Sequence, residues 1–296
     1  MSMPDVRGKK VIVTGAGSGL GRAMALGLCE AGADVLALDI AEDRANDTAA
    51  TAQRYNNSSH VIAFRCDVRR ADECGQAIAT AISQLGGLHG VVNCAGLGMP
   101  HLRRDAHAAP VRFWEADPDR WQEIIDVNIR GPFLLARAAT PHLLVQGWGR
   151  IVNVTTSFNT MIRTANMPYG QTKAALEAAS ASWAEDLRGK GVSVNVLIPG
   201  GAADTRMIPE ESGYDRSKLV NPQVMVAPIR WLMSEESEGV TGMRFVGRHW
   251  KPDLPWQEAA KASGAPIAWP ALAAEAAGGQ PASSARPASP TQGVRI

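Results

Sequence analysis

The chain places a tyrosine and a lysine four residues apart, Tyr169 and Lys173, at the start of a long helical pattern. That spacing puts both side chains on one face of an α-helix. An ammonium group favours the charged form of a nearby phenol, so we expect the pKa of Tyr169 to fall below its ordinary value of about 10. Such a phenol can exchange a proton with a substrate hydroxyl or carbonyl group near neutral pH. The pair therefore predicts acid–base chemistry, provided that other elements bring a reaction partner to it.

A glycine-rich turn follows the first predicted strand, where residues 14–21 read Thr-Gly-Ala-Gly-Ser-Gly-Leu-Gly. Glycines at this place permit a tight turn, let a pyrophosphate approach the backbone, and let the next helix pack closely on the strand. The free N–H groups and the positive dipole end of that helix favour a bound phosphate. The turn therefore predicts a dinucleotide site. Its predicted contact residues are Gly15, Ser18, Gly19, Leu20 and Gly21.

Asp39 ends the second predicted strand, at the distance from the glycine turn that a ribose-binding acid requires. A carboxylate there can accept hydrogen bonds from the ribose hydroxyls, and it repels a 2′-phosphate. Neither Ser18 nor Ile40 supplies a basic group for such a phosphate, so we predict NAD as the cofactor. Arg22, one helical turn further along, keeps NADP as the alternative.

The fold is predicted from short apolar runs that alternate with helical patterns between Lys9 and Val246. Strands that are apolar throughout are typical of a parallel sheet covered by helices on both faces. The alternation predicts a single doubly wound α/β Rossmann domain with a mainly seven-stranded parallel sheet. The predicted strands are residues 11–14, 34–38, 61–64, 90–93, 150–154, 192–198 and 243–246.

The predicted domain organisation has three parts. Residues 1–250 form the nucleotide-binding catalytic domain. Residues 251–270 form a tryptophan-containing extension that packs on this domain or on a neighbouring subunit. Residues 271–296 are dominated by Ala, Gly, Pro and Ser, and such a composition buries too little apolar surface to offset the cost of ordering. We therefore expect a disordered tail there.

Composition narrows the class of function. The 296 residues include 30 basic and 29 acidic side chains, which gives no electrostatic reason to expect a nucleic acid or an acidic membrane as partner. The four cysteines lack the spacing of a metal site or of a disulfide framework, so no metal is expected. No apolar run approaches the ~20 residues of a membrane helix, and no signal-peptide pattern precedes the first strand. We expect a cytoplasmic protein.

Several short motifs follow in a recognisable order: Asp67-Val68, Asn93-Cys94-Ala95-Gly96, Asp126-Val127-Asn128-Ile129, and Pro199-Gly200 followed by Thr205. Together with the glycine turn and the Tyr-x-x-x-Lys pair, they make the chain resemble the short-chain dehydrogenase/reductase family over roughly residues 7–247. The resemblance implies further cofactor contacts around the adenine, the ribose and the nicotinamide. The implied contact residues are Asp67, Val68, Asn93, Ala95, Gly96, Tyr169, Lys173, Pro199, Gly200 and Thr205.

The resemblance also implies catalytic roles. Tyr169 would be the general acid/base, and Lys173 would lower its pKa and hold the nicotinamide ribose. Asn128 would position a water that links the lysine to solvent. The implied reaction is hydride transfer that interconverts a secondary alcohol and a ketone on a small molecule. Two alternatives stay open: an NAD-binding sensor or scaffold without catalysis, and a redox-neutral dehydration or epimerisation at the same site.

The hydroxyl that orients the substrate has two candidates. The family has a serine thirteen residues before the tyrosine, and here that position is Thr156. A threonine hydroxyl can donate the same hydrogen bond, although its methyl group restricts the rotamer. Ser157 is the next residue and would serve if the turn is shifted by one. We favour Thr156 and keep both.

Two long connections, residues 96–118 and 200–222, depart from the family pattern, and loops of this length are often functional. The first is rich in basic residues and is either a solvated excursion or a cap over the substrate mouth. Arg163, between the hydroxyl position and Tyr169, either faces solvent or pairs with an anionic group of the substrate.

A homodimer or homotetramer is expected, because the family commonly pairs the two helices that here carry Asn128 and Tyr169. Small residues beyond Lys173 would permit close approach of a second subunit, although they could equally pack against the sheet.

Overall fold

A computed structural model of the protein describes residues 4–55 and 58–271. Within that part of the chain one sheet has the strand order β3-β2-β1-β4-β5-β6-β7-β8. The strands are β1 Lys10–Thr14, β2 Asp34–Asp39, β3 Val61–Arg65, β4 Gly90–Asn93, β5 Gly149–Val154, β6 Val192–Ile198, β7 Met243–Val246 and β8 Gly264–Pro266. The helices are α1 Gly19–Glu30, α2 Glu42–Ala52, α3 Ala71–Thr80, α4 Pro118–Ile125, α5 Gly131–Gln146, α6 Phe158–Ile162, α7 Tyr169–Asp186, α8 Val226–Leu232 and α9 Trp256–Ser263.

Helices cover both faces of the sheet, and the side chains of the strands alternate between them. Val11 and Val13 of β1 pack in the same apolar cluster as residues of α1 and α8. Ile12, between them, packs in the opposite cluster with residues of α3 and α5. The strands are apolar throughout because both of their faces are buried. The predicted doubly wound Rossmann fold is confirmed.

The strand order reverses between β1 and β4. The chain runs outward from β1 to β2 and β3, then returns to place β4 on the other side of β1. In open sheets of this kind a crevice forms outside the carboxyl ends of the strands at such a reversal. The glycine turn after β1 and the residues after β4 therefore meet at one edge of the sheet.

The seven predicted strands are present and mutually parallel, and β8 is an additional antiparallel strand that the sequence did not indicate. It pairs Gly264 with Phe245 and Pro266 with Met243 on β7. Strand β8 has only three residues, two of which are Gly and Pro, so its sequence carries no recognisable strand pattern. The strand directly follows α9, which brings it beside β7. Residues 272–296, nearly all of the predicted tail, lie outside the described residues.

Across residues 4–55 and 58–271, no helix has the length and apolar character needed to cross a bilayer. The same residues contain no group of His, Cys, Asp or Glu side chains arranged to hold a metal ion.

Candidate active site

A cleft of about 850 Å³ opens at the carboxyl ends of the strands, where the strand order reverses. Most of the predicted site residues contribute to its walls. They are Gly15, Ser18, Gly19, Leu20, Gly21, Asp39, Asp67, Val68, Ala95, Gly96, Thr156, Ser157, Tyr169, Lys173, Pro199 and Thr205. The structure therefore brings the nucleotide motifs and the Tyr-x-x-x-Lys pair together in one cavity, which is called the cleft below.

Three predicted residues lie behind the walls of the cleft. Asn93 is buried, and its Nδ2 donates a hydrogen bond to Asn153 Oδ1 at 2.8 Å. Asn128 is also buried, and its amide pairs with the backbone N–H and C=O of Leu97 at 2.8 and 2.9 Å. Gly200 has a positive φ of 92° and backs the turn after β6. These residues support the walls of the cleft.

The glycine turn is shaped so that a bound group can reach the backbone. Gly15 has a φ of +65°, and a Cβ atom there would lie 2.9 Å from the Cα of Ala95. A Cβ on Gly21 would lie 2.3 Å from the carbonyl oxygen of Gly15. Only glycine fits at either position. The turn and the start of α1 therefore form the cradle that a pyrophosphate requires, and this geometry fits a dinucleotide.

Asp39 is held rigidly beside that turn. Its Oδ2 accepts a hydrogen bond from the Gly17 N–H at 3.0 Å, and its Oδ1 accepts one from the Ala41 N–H at 2.9 Å. The side chain is mostly buried yet lines the cleft. A carboxylate fixed in this way suits recognition of ribose hydroxyls.

Arg22, which kept NADP open in the sequence, and Arg44, for which the sequence analysis made no prediction, differ in their position relative to the cleft. Arg22 is absent from the described lining of the cleft, and its Nη2 donates to Thr51 Oγ1 at 2.9 Å. Arg44, in the first turn of α2, lines the cleft instead. Sequence reasoning missed Arg44, although its position just after the strand that ends in Asp39 was an available signal.

Asp67 lines the cleft and forms an ion pair with Arg69. Arg69 donates from Nε at 2.9 Å and from Nη2 at 2.7 Å to the two carboxylate oxygens. These hydrogen bonds hold the pKa of Asp67 below its ordinary value, so the carboxylate is ionised at neutral pH.

Tyr169 and Lys173 both line the cleft, and the Lys173 Nζ lies 6.0 Å from the centre of the Tyr169 ring. The ammonium donates a hydrogen bond to the Val154 carbonyl at 2.8 Å. Burial raises the pKa of Tyr169 to about 12 and lowers the pKa of Lys173 to about 8. The predicted fall in the phenol pKa is therefore wrong for this structure, because loss of water disfavours the charged form of the phenol more than Thr156 and Arg163 favour it.

The two candidate hydroxyls differ in their partners. The Thr156 side chain lowers the pKa of Tyr169 and so opposes part of the rise that burial causes. The Ser157 side chain accepts a hydrogen bond from the Thr160 N–H and caps α6. Both residues line the cleft, and Thr156 is the one coupled to the phenol.

The long connections 96–118 and 200–222 meet at the end of the cleft that contains Tyr169, which is called the substrate end below. The His107 and Tyr214 rings pack edge to face with centroids 5.4 Å apart. Met99, Leu102 and other apolar side chains of the first connection form a buried cluster against Tyr169. The first connection is therefore packed against the Rossmann domain. The hypothesis that it is a wholly solvated excursion does not fit this packing.

Arg163 lies at the same end of the cleft and also borders a neighbouring pocket. Its Nη2 lies 3.4 Å from Asn166 Oδ1, and Asn166 is buried and bonded to the Thr160 carbonyl. The positive charge of Arg163 favours the ionised form of Tyr169, and it adds to the burial that lowers the pKa of His107. Among the described residues, no carboxylate forms an ion pair with Arg163.

Comparisons with known proteins agree with this site. The family model for short chain dehydrogenase matches residues 9–213. The 2,5-dichloro-2,5-cyclohexadiene-1,4-diol dehydrogenase of Sphingobium indicum is 31% identical over 244 residues, which cover 80% of this chain and 93% of that protein. The chain therefore belongs to the short-chain dehydrogenase/reductase family. It is an NAD(P)-dependent oxidoreductase that acts on CH–OH or C=O groups.

Solved structures share the fold. A short-chain type dehydrogenase/reductase from Mycobacterium marinum superposes with a TM-score of 0.73 at 24% identity, covering 82% of this chain and 94% of that chain. The 3-ketoacyl-(acyl-carrier-protein) reductase of Brucella melitensis, solved with NADH, has a TM-score of 0.69 at 24% identity, covering 80% and 95% of the two chains.

Proposed function

We propose that the protein is an NAD-dependent oxidoreductase that interconverts a secondary alcohol and a ketone on a small molecule. The observation that carries this proposal is the convergence of Tyr169, Lys173 and Thr156 on the cleft that also holds the glycine turn and Asp39. The same cleft thus contains a proton donor, a cation and a dinucleotide cradle. Hydride exchange with a nicotinamide, coupled to proton exchange at the substrate oxygen, needs the cofactor and the acid/base group within one cavity.

The chain would hold the dinucleotide along the nucleotide half of the cleft. The glycine turn would take the pyrophosphate, Asp39 the adenosine ribose, and Asp67 with Val68 the adenine side. Lys173 would hold the nicotinamide ribose. When bound, the nicotinamide supplies the acceptor or donor of hydride. The fixed carboxylate of Asp39 supports NAD over NADP, and Arg44 beside it is the residue that would soften this preference.

Tyr169 would move the proton at the substrate oxygen. A phenol with a pKa of about 12 is neutral at physiological pH, so it is ready to donate a proton to a carbonyl oxygen in the reductive direction. In the oxidative direction it must accept the alcohol proton, which the positive charges of Lys173 and Arg163 favour. Thr156 would orient the substrate oxygen. Asn128 would position the relay water while its side chain secures Leu97.

The position and charge of Arg163 support the proposal that the substrate carries an anionic group. A cation at the substrate end of the cleft, without a carboxylate partner among the described residues, is suited to bind a carboxylate through charge-assisted hydrogen bonds. The side chain is otherwise exposed, and its hydrogen bond to Asn166 keeps one end of the guanidinium at the cleft.

The decisive experiment replaces the phenol hydroxyl. Tyr169→Phe should lower NADH formation from the substrate that the wild type oxidises fastest by about 10³-fold, since general acid–base catalysis contributes roughly that factor. NADH binding, followed by fluorescence titration, should be unchanged. Tyr55→Phe is the matched control because Tyr55 is outside the described lining of the cleft. Retained turnover in Tyr169→Phe would overturn the proposed role.

An NADH-coupled screen of a panel of sugar acids, sugar alcohols, hydroxysteroids and cyclic alcohols separates the enzyme from the two alternatives. A wild-type protein that binds NADH tightly but turns over no member of the panel would favour the sensor or scaffold. Stoichiometric formation of NADH and ketone excludes redox-neutral dehydration or epimerisation.

Assembly, location and domain division are part of the same proposal. We expect a cytoplasmic homodimer or homotetramer, which size-exclusion chromatography with light scattering measures directly. The catalytic domain would comprise residues 1–250, with residues 251–270 as a packed extension.

A further inference from the structure

A buried ion pair links α7 to β7 just outside the cleft. Arg244 Nε donates to Glu177 Oε1 at 2.8 Å, and the Glu177 side chain has no solvent exposure while that of Arg244 is 8% exposed. Neither residue belongs to the lining of the cleft as described. Glu177 follows Lys173 by one helical turn, so Tyr169, Lys173 and Glu177 share one face of α7.

Both members of this pair also bind the turn after β5. Thr155 Oγ1 donates a hydrogen bond to Glu177 Oε2 at 2.7 Å. Arg244 Nη2 donates to the Thr156 carbonyl at 2.9 Å. Removing two charges from water is costly, and additional hydrogen bonds of this kind are what make a buried pair tolerable. The pair therefore fixes the two residues that present the Thr156 hydroxyl to Tyr169.

The C-terminal segment, residues 264–269, closes the outer side of this arrangement. The Ala268 N–H donates to Glu177 Oε1 at 3.3 Å. Ala268 has a φ of +61°, a strained value for a residue with a Cβ atom, so the surrounding contacts must hold it there. Ile267 is buried, and its N–H donates to the Gly242 carbonyl at 3.0 Å.

Aromatic contacts complete the enclosure. The Arg244 guanidinium lies over the Phe158 ring at 4.0 Å from its centre. The Trp269 ring lies 5.9 Å from the Phe158 ring, centre to centre. Phe158 begins α6, directly after the Thr156–Ser157 turn. The C-terminal segment thus contacts the turn through Glu177 on one side and Phe158 on the other.

We propose, on the basis of the function proposed above, that the Glu177–Arg244 pair and the C-terminal segment are positioning elements for the Thr156 hydroxyl. In this arrangement residues 264–269 set the geometry of substrate orientation without touching the substrate. Arginine suits the role because its planar fork bonds Glu177 and the Thr156 carbonyl at once, which a lysine ammonium reproduces poorly.

The test is a double-mutant cycle on the full chain. Arg244→Lys should lower kcat about 10- to 100-fold, because a displacement on the order of 1 Å has effects of that size on catalysis. The dissociation constant of NADH should stay within about twofold of wild type. In a Thr156→Val background, Arg244→Lys should produce no further loss of kcat, since residues that act through one group are not additive.

A matched control separates positioning from general loss of packing. Arg230 is a buried arginine on α8 that donates to the Gly27 carbonyl at 2.7 Å and pairs with Glu30, away from the cleft. Arg230→Lys should lower the melting temperature and leave kcat close to wild type. If Arg244→Lys fails to fold, Ala268→Pro replaces it, because proline removes the N–H bonded to Glu177 and cannot adopt a positive φ. Ala268→Gly retains both features and should behave as wild type.

The outcomes are distinct. A lower kcat with unchanged NADH affinity and no further loss in the Thr156→Val background supports the proposal. Losses that multiply in the double variant, or an unchanged kcat in Arg244→Lys, overturn it while leaving the oxidoreductase assignment intact. A wild-type protein that oxidises no secondary alcohol in the panel overturns the proposed function first, and the positioning role with it.

Discussion

The Ser157 hydroxyl lies 2.8 Å from the Thr160 hydroxyl and accepts a hydrogen bond from the Thr160 N–H, at the first turn of α6. The Ser157 hydroxyl is therefore the N-cap of α6. The neighbouring Thr156 hydroxyl lines the cleft with Tyr169 and lowers the pKa of its phenol. Two adjacent hydroxyl groups thus have separate partners, one structural and one facing the reactive phenol.

That difference predicts opposite phenotypes for two conservative substitutions. Thr156→Val keeps the shape and removes the hydroxyl, so kcat should fall about 10²-fold, the usual effect of losing one orienting donor. Ser157→Ala should leave kcat within about fivefold and lower the free energy of unfolding by about 1 kcal/mol, the typical cost of a lost cap. Steady-state kinetics and urea denaturation measure both. The reverse pattern would assign the orienting role to Ser157.

Asp39→Asn should change cofactor choice mainly through charge. The substitution removes the negative charge that repels a 2′-phosphate, and its single amide oxygen keeps an acceptor for one of the Gly17 and Ala41 N–H groups. We expect the affinity for NADP to rise about tenfold relative to that for NAD, since a repulsion of about 1.4 kcal/mol is worth that factor. Isothermal titration calorimetry gives both dissociation constants. A wild-type protein that binds NADP more tightly than NAD would contradict the prediction.

Lys173 should make stability depend on pH in the alkaline range. Its pKa is about 8 in the folded protein and about 10.5 when unfolded, so the unfolded chain binds more protons between these values. The free energy of unfolding therefore rises as pH increases from 8 to 10.5. Below pH 8 Lys173 is charged in the folded protein, and the full free-energy cost of burying that charge destabilises the fold.

Comparison with Lys173→Met isolates this effect. The variant should be more stable than wild type at pH 7, and its advantage should shrink by about 2 kcal/mol at pH 9.5, because that pH lies about 1.5 units above the folded pKa. Chemical denaturation at the two pH values measures the change. Tyr169 is common to both proteins, so its own titration cancels. A difference that stays constant across this range would show that Lys173 is not buried as a cation.

Arg163→Gln should discriminate between substrates by their charge. For a hydroxy acid, kcat/KM should fall about 10- to 100-fold, the value of a lost charge-assisted hydrogen bond. The matched hydroxy amide should lose far less, and any effect on the Tyr169 pKa is common to both. Arg112→Gln is the control, because Arg112 borders only the neighbouring pocket among the cavities described. Equal losses for acid and amide would remove Arg163 from substrate recognition.

The sequence predicted the seven parallel strands and the nucleotide turn because both depend on local patterns. Apolar runs such as Val192–Ile198 and glycines such as Gly15 have few alternative readings. The pKa of Tyr169 was misjudged because the spacing to Lys173 is a local property, whereas burial is set by the packing of the whole cleft.

Other features could not be predicted because they join distant parts of the chain. Arg244 and Glu177 are 67 residues apart in the chain, and the local sequence around neither residue indicates their contact. Strand β8 is too short for a periodic signal and exists only because α9 returns it to β7.

Strand β8 also has a consequence for the exposed edge of the sheet. Without it, β7 would present a row of unpaired backbone groups at the margin of a wide sheet, which is a template for pairing with another chain. The cover is three residues long and ends at Pro266, which has no N–H to offer a further strand. Within residues 4–55 and 58–271, the same short segment that encloses Glu177 is therefore the last strand of the sheet, and its shortness leaves few backbone groups for another chain to pair with.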